Sequence, residues 1–123
     1  MLIVEDEATL RRVIARNLTG RGIQVREAET AAAALAAVRA QRPDLLLLDI
    51  NLPDRTGWDV LRELQRLGLS VPTIVVSAVR VNAGRLVEFS PLAYLPKPFP
   101  LEALLSLVLG REAEGAAPST DRR

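Results

Sequence analysis

The sequence predicts an α/β domain, a parallel sheet covered by helices on both faces. Three observations carry this reading. Strand-length apolar runs alternate with helical patterns along the chain: Leu2 to Val4, Ile23 to Val25, Leu45 to Leu48, Thr73 to Val76 and Leu92 to Leu95. The third and fourth runs lack polar alternation, as strands covered on both faces require. With 123 residues, the chain makes one domain and can bury about two thirds of its unfolded surface without metal or disulfide support.

The helices follow in order. Leu10, Val13, Ile14 and Leu18 form an apolar stripe, with Arg11, Arg12 and Arg16 off it and Gly20-Arg21-Gly22 ending the helix. Thr30 is placed to cap a second helix. Its run Ala31 to Ala37 offers small side chains that let a helix approach a sheet closely, before Arg42-Pro43-Asp44 breaks the pattern. Trp58, Leu61 and Leu64 mark a third stripe, and Trp58 reads as packing rather than as a ligand contact. Asn82 to Glu88 allows a short fourth helix. Pro100 suits a first turn ahead of Leu101, Leu104, Leu105 and Val108. Five strand–helix pairs of this kind call for right-handed crossovers within one sheet. From Glu112 onward alanine, glycine, proline, serine and charge dominate, so the expected domain is 1–111 with a disordered tail over 112–123.

Composition excludes several chemistries. The chain has no cysteine and no histidine, which removes disulfides, thiolate nucleophiles, the commonest metal ligand and the commonest general base. A formal charge of +1 provides no basic field for nucleic acid. Met1-Leu2-Ile3-Val4 runs directly into Glu5-Asp6-Glu7, and no apolar run approaches the roughly 18 residues of a membrane span. A cytoplasmic protein without membrane insertion is expected. Among 16 basic residues the only lysine is Lys97, set between two prolines. A compact ammonium there differs in kind from the planar guanidinium that this chain uses everywhere else.

The polar residues then converge. Glu5 and Asp6 end the first strand, Asp49 the third and Ser77 the fourth, while Lys97 lies just past the fifth. In an open parallel sheet these carboxyl ends share one edge, where ligands bind at the reversal of strand order. Each residue alone has a structural reading: loop acids for Glu5 and Asp6, a turn residue for Asp49, a helix cap for Ser77. Together they describe a site. Three carboxylates in one crevice repel one another unless a divalent cation with oxygen ligands joins them, and Mg²⁺ suits that donor set. Three negative charges balanced by Mg²⁺ and Lys97 suit a phosphoryl group, with Asp49 as covalent acceptor and the Ser77 hydroxyl as a donor to a phosphoryl oxygen.

Four segments resemble the receiver domains of bacterial two-component response regulators: Leu2-Ile3-Val4-Glu5-Asp6-Glu7, Pro43 to Pro53 with Gly57, Val75-Val76-Ser77-Ala78, and Tyr94-Leu95-Pro96-Lys97-Pro98-Phe99. The resemblance covers about residues 1 to 110. It implies a flavodoxin-like three-layer fold, with strand order 2-1-3-4-5. It further implies that Asp49 is the phosphorylation site and that Asp6, Asp49 and the main-chain carbonyl of Asn51 bind Mg²⁺, Glu5 acting through water. Ser77 and Lys97 would contact the phosphoryl group, and a sensor histidine kinase or phosphotransfer protein would donate it. The Lys97-Pro98 bond is expected to be cis, a form that only prolyl amides adopt at low cost. In switching, Ser77 moves toward the phosphoryl group and Tyr94 enters the space it leaves. The chain would catalyse only its own phosphoryl transfer and dephosphorylation.

Departures from the family pattern are also legible. The interval from Ser77 to Lys97 is slightly short, and Ser90-Pro91 stands where a Gly-Ala pair is common, so a short or irregular fourth helix is expected. That puts the usual partner or homodimer face in doubt. Val79, apolar where polar residues are frequent, lies near the path of an attacking water and predicts a long-lived acyl phosphate. Because the chain stops after the fifth helix, output is expected through a protein contact or phosphorelay rather than direct DNA binding. Two other readings compete. A pseudo-receiver would keep the fold without taking phosphate, and a haloacid-dehalogenase-type phosphatase would place its nucleophile on the first strand in an Asp-x-Asp motif, unlike Asp49.

Overall fold

The computed structural model describes residues 1–116. Five strands, β1 (Leu2–Val4), β2 (Arg26–Ala28), β3 (Leu46–Asp49), β4 (Thr73–Ser77) and β5 (Ala93–Pro96), alternate with five helices. The helices are α1 (Ala8–Thr19), α2 (Ala31–Ala40), α3 (Gly57–Arg66), α4 (Ala83–Phe89) and α5 (Leu101–Ala116). All pairings are parallel, in the order β2-β1-β3-β4-β5. The flavodoxin-like arrangement expected from the sequence is therefore the one observed.

Two apolar layers sandwich the sheet, because alternate strand residues point to opposite faces. Leu2, Val4, Leu46, Leu48 and Val75 meet α2 and α3, while Ile3, Leu47, Ile74 and Val76 meet α1 and α5. Ala31 and Ala34 are fully buried, so the alanine run does bring α2 close to the sheet. Thr30 caps α2 by accepting from the Ala33 amide. Trp58, Leu61 and Leu64 are core residues, as their spacing predicts. Residues Leu104, Leu105 and Val108 are buried along α5.

Four expectations need correction. β2 is Arg26–Ala28, not the apolar Ile23 to Val25. Ile23 is occupied in closing α1, its amide donating to the Leu18 carbonyl, and the edge strand needs only Ala28 buried. Its polar residues find partners: Arg26 donates to the Ala37 and Gln41 carbonyls and Glu27 pairs with Arg11. Arg11, placed by periodicity on the solvent side of α1, is only 8% exposed, whereas Val13 is 41% exposed. A paired guanidinium can occupy a position that hydropathy assigns to carbon. Finally, α5 continues to Ala116, past the expected boundary at residue 111; residues 117–123, the remainder of the expected tail, lie outside the described residues.

α4 is short, as the sequence suggests, and buries no residue fully. Asn82 caps it, and Ser90 ends it in the left-handed region at φ 45°. Trp58 stacks on Phe89 with ring centroids 5.5 Å apart, and the Arg62 guanidinium lies 5.4 Å from the Phe89 ring. These contacts tie α4 to α3.

Candidate functional site

The parallel register brings the predicted residues to one edge. Asp49 pairs with Val76 and Ser77 with Pro96, so Lys97 follows directly beside Ser77, its amide donating to the Ser77 carbonyl at 2.8 Å. Glu5 follows β1, whose Val4 lies opposite Leu48. The site thus straddles β1 and β3, where the strand order reverses.

Within it, the Lys97 ammonium donates to Glu5 Oε1 at 2.7 Å and to Asp49 Oδ2 at 2.9 Å. Glu5 and Asp49 are buried, at 2% and 3% exposure, and Asp6 is exposed. Burial raises the Glu5 carboxyl above its usual range, outweighing its bonds from Lys97 and the Glu7 amide, and the Asp49 charge adds to the rise. For Lys97, burial pushes the ammonium down, but the hydrogen bonds and charges of Glu5 and Asp49 prevail and hold it above its ordinary value. One ammonium shared by two buried carboxylates leaves excess negative charge. Asp6 adds to it, and its carboxylate has no hydrogen-bond or ion-pair partner among the described residues.

Oxygens of Glu5, Asp6 and Asp49 lie within 4.8 Å of one another. A hard oxygen-preferring cation fits this donor set, and the surplus of negative charge favours a divalent one. Glu5 is the least free of the three, since Oε1 meets Lys97 and Oε2 accepts from the Glu7 amide at 3.0 Å.

The loop after β3 is tightly folded. Asn51 donates its amide to Asp49 Oδ1 at 3.0 Å and forms an isolated bridge with Thr56. Thr56 and Asp59 make a reciprocal capping box at the start of α3. Gly57 donates to the Ile50 carbonyl, and a Cβ there would sit 2.6 Å from the Asp49 carbonyl oxygen, so no other residue fits. The tip of the loop is tied down by Asp54, which accepts from the Ala31 and Ala32 amides at the start of α2.

The Ser77 hydroxyl donates to the Val79 carbonyl at 3.0 Å and accepts from the Val79 amide. Tyr94, half-buried on β5, donates its hydroxyl to the same carbonyl at 3.5 Å. The Lys97-Pro98 bond is cis.

Sequence reasoning missed Arg11, Asp54 and the steric role of Gly57. The Thr56-x-x-Asp59 pattern was a readable signal for the cap. Gly57 was singled out only as part of a matching segment, and nothing in a single sequence marks Arg11 or Asp54, whose partners are 6 to 23 residues away in the chain.

Comparison with known proteins decides the family: the model of the response regulator receiver domain matches residues 1–109. The chain belongs to the response regulator receiver domain family. This receiver is 38% identical to the KDP operon transcriptional regulatory protein KdpE of Escherichia coli, over 96% of this chain and 54% of that protein. It is 34% identical to the response regulator MprA of Mycobacterium bovis, over all of this chain and 56% of that protein. The receiver thus spans about half the length of the curated relatives it matches. Among solved structures, the receiver domain of NtrX from Brucella abortus superposes with a TM-score of 0.75 at 30% identity, over 92% of this chain and 97% of that one. A CheY-like receiver domain protein from Methanospirillum hungatei gives 0.84 at 27% identity, over 96% of both chains. Among the described residues, no helix of the receiver is long and apolar enough to cross a membrane.

Proposed function

We propose that this receiver accepts a phosphoryl group on Asp49 from a phosphohistidine of a sensor kinase or phosphotransfer protein. The observation that carries the reading is the Lys97 ammonium held between Glu5 and Asp49, beside three clustered carboxylates at the switch point of the sheet. The Asp49 carboxylate attacks phosphorus, the P–N bond to the donor imidazole breaks, and an acyl phosphate forms. Lys97 exchanges part of its carboxylate contact for the phosphoryl oxygens and neutralises them as they approach. Asp6, Asp49 and the Asn51 carbonyl would hold Mg²⁺, with Glu5 reaching it through water. Bound there, the ion would screen the incoming anionic oxygens from the carboxylates.

Signal output follows from the hydroxyl chain. When Ser77 turns toward a phosphoryl oxygen it gives up Val79, the residue that Tyr94 also contacts. Tyr94 can then move inward, which biases β5 and its flanking helices between two states. Incubation with acetyl phosphate and Mg²⁺ should add one phosphoryl mass to the intact protein, and Asp49→Asn should abolish the adduct. A parent protein that remains unmodified would favour the pseudo-receiver reading instead.

A further inference from the structure

We infer that Arg11 is the positioning residue that aims Asp6 at the cation. Its guanidinium is buried and makes two bonds from two different nitrogens: Nη1 donates to the Glu5 carbonyl at 2.9 Å, and Nε donates to Glu27 Oε1 at 2.8 Å. The Glu5 carbonyl belongs to the peptide that joins Glu5 to Asp6, so the orientation of that peptide determines the direction in which Asp6 leaves the chain. On its other side Glu5 is held by the sheet, its amide donating to the Ala28 carbonyl at 3.0 Å. The following turn is held too, by the Glu7 amide on Glu5 Oε2 and by the Arg11 amide on the Glu7 carbonyl. Among the described residues Asp6 is thus the one carboxylate of the cluster with no side-chain partner, and its aim rests on main chain that Arg11 fixes. Glu27, on the edge strand β2, in turn anchors Arg11.

Two separate bonds in fixed relation need a planar fork; a lysine ammonium cannot make both in the same geometry. The charge of Arg11 works the other way, since a cation beside an acid cluster weakens binding of a second cation. Aim and charge therefore predict opposite effects, and this separates them. The inference rests on the Mg²⁺ reading of the site but not on phosphate uptake.

Calorimetric titration of the unphosphorylated chain with Mg²⁺ tests it. Arg11→Lys keeps the charge and removes the fork, and should weaken Mg²⁺ binding about 10-fold, the lower end of what supporting residues around metal ligands contribute. Arg11→Gln should also weaken it. Ile14→Val, a core change in the same helix, should lower thermal stability and leave the affinity unchanged. Parental affinity in Arg11→Lys, or tighter binding in Arg11→Gln, would overturn the inference. If neither Arg11 variant folds, Glu27→Asp, which keeps the carboxylate charge and shortens the half-exposed anchor, decides: weaker binding supports the assignment and unchanged binding overturns it. A parent that binds no Mg²⁺ would overturn the metal reading and this inference together, whereas parental affinity in Arg11→Lys leaves the metal reading standing.

Discussion

At the scale of single residues the site is a problem in charge. Glu5, Asp6 and Asp49 outnumber the single Lys97 ammonium, and burial of two of the acids screens that excess less than bulk water would. Lys97 sits on two carboxylates at once, with its side chain 18% exposed. A guanidinium is wider, planar and directional, so Lys97→Arg should still admit phosphate, slowly, but transmit it poorly. Intact mass would report uptake, and Trp58 fluorescence, sensitive through the Phe89 stack to the position of α4, would report transmission. Unchanged uptake and fluorescence response would show that a compact ammonium is not required. Val79 offers the second residue-scale test. Its backbone holds the Ser77 hydroxyl while its apolar side chain is 55% exposed at the rim. Val79→Glu places there a group able to orient water, and should shorten the lifetime of the phosphorylated form several-fold in a decay series followed by intact mass.

At the scale of elements, the loops are held by the ends of helices. Asp54 spans from the β3–α3 loop to the α2 N-terminus, where two free amides and the helix dipole meet its carboxylate. Those amides hold the Asp54 carboxyl below its usual range. A group lowered on folding contributes stability above its unfolded pKa, near 3.9, and loses it as pH falls through the depressed folded value. Asp54→Asn should therefore melt below the parent at pH 7, by a small margin because the group is exposed, and the gap should begin to narrow as pH falls below about 4 and close once it passes the depressed folded value. Paired thermal melts across that pH range would show it. α4 is lightly held: with no fully buried residue, it depends on the Phe89 stack, the Arg62 contacts and a left-handed Ser90 at its end. An element so lightly held is suited to respond to the proposed movement of Tyr94.

At the scale of the whole molecule, ligand binding at the sheet edge should stabilise the fold by mass action. Beryllofluoride with Mg²⁺ at a hundredfold excess over Kd adds about 2.7 kcal/mol, on the order of 10 °C in Tm for a domain of this size. Thermal unfolding followed by Trp58 should show that rise in the parent and no beryllofluoride-dependent rise in Asp49→Asn. Much of this architecture was legible in the sequence. Apolar runs without alternation mark β3 and β4, whose burial on both faces leaves no freedom in composition, and the ordered placement of Asp49, Ser77 and Lys97 after strands marks the edge where they meet. β2 was legible only in outline, because an edge strand needs one buried side chain and its charged residues find partners in other elements. Arg11 and Asp54 were misread or missed for the same reason: hydropathy records what a side chain is made of, not which distant carbonyl or amide will satisfy it. The sequence by itself therefore determined the layers, the central strands and the sheet edge at which the candidate site residues gather. Only the tertiary structure decided which polar groups aim those residues, because a hydrogen bond depends on ångström-scale direction between residues that the chain keeps far apart.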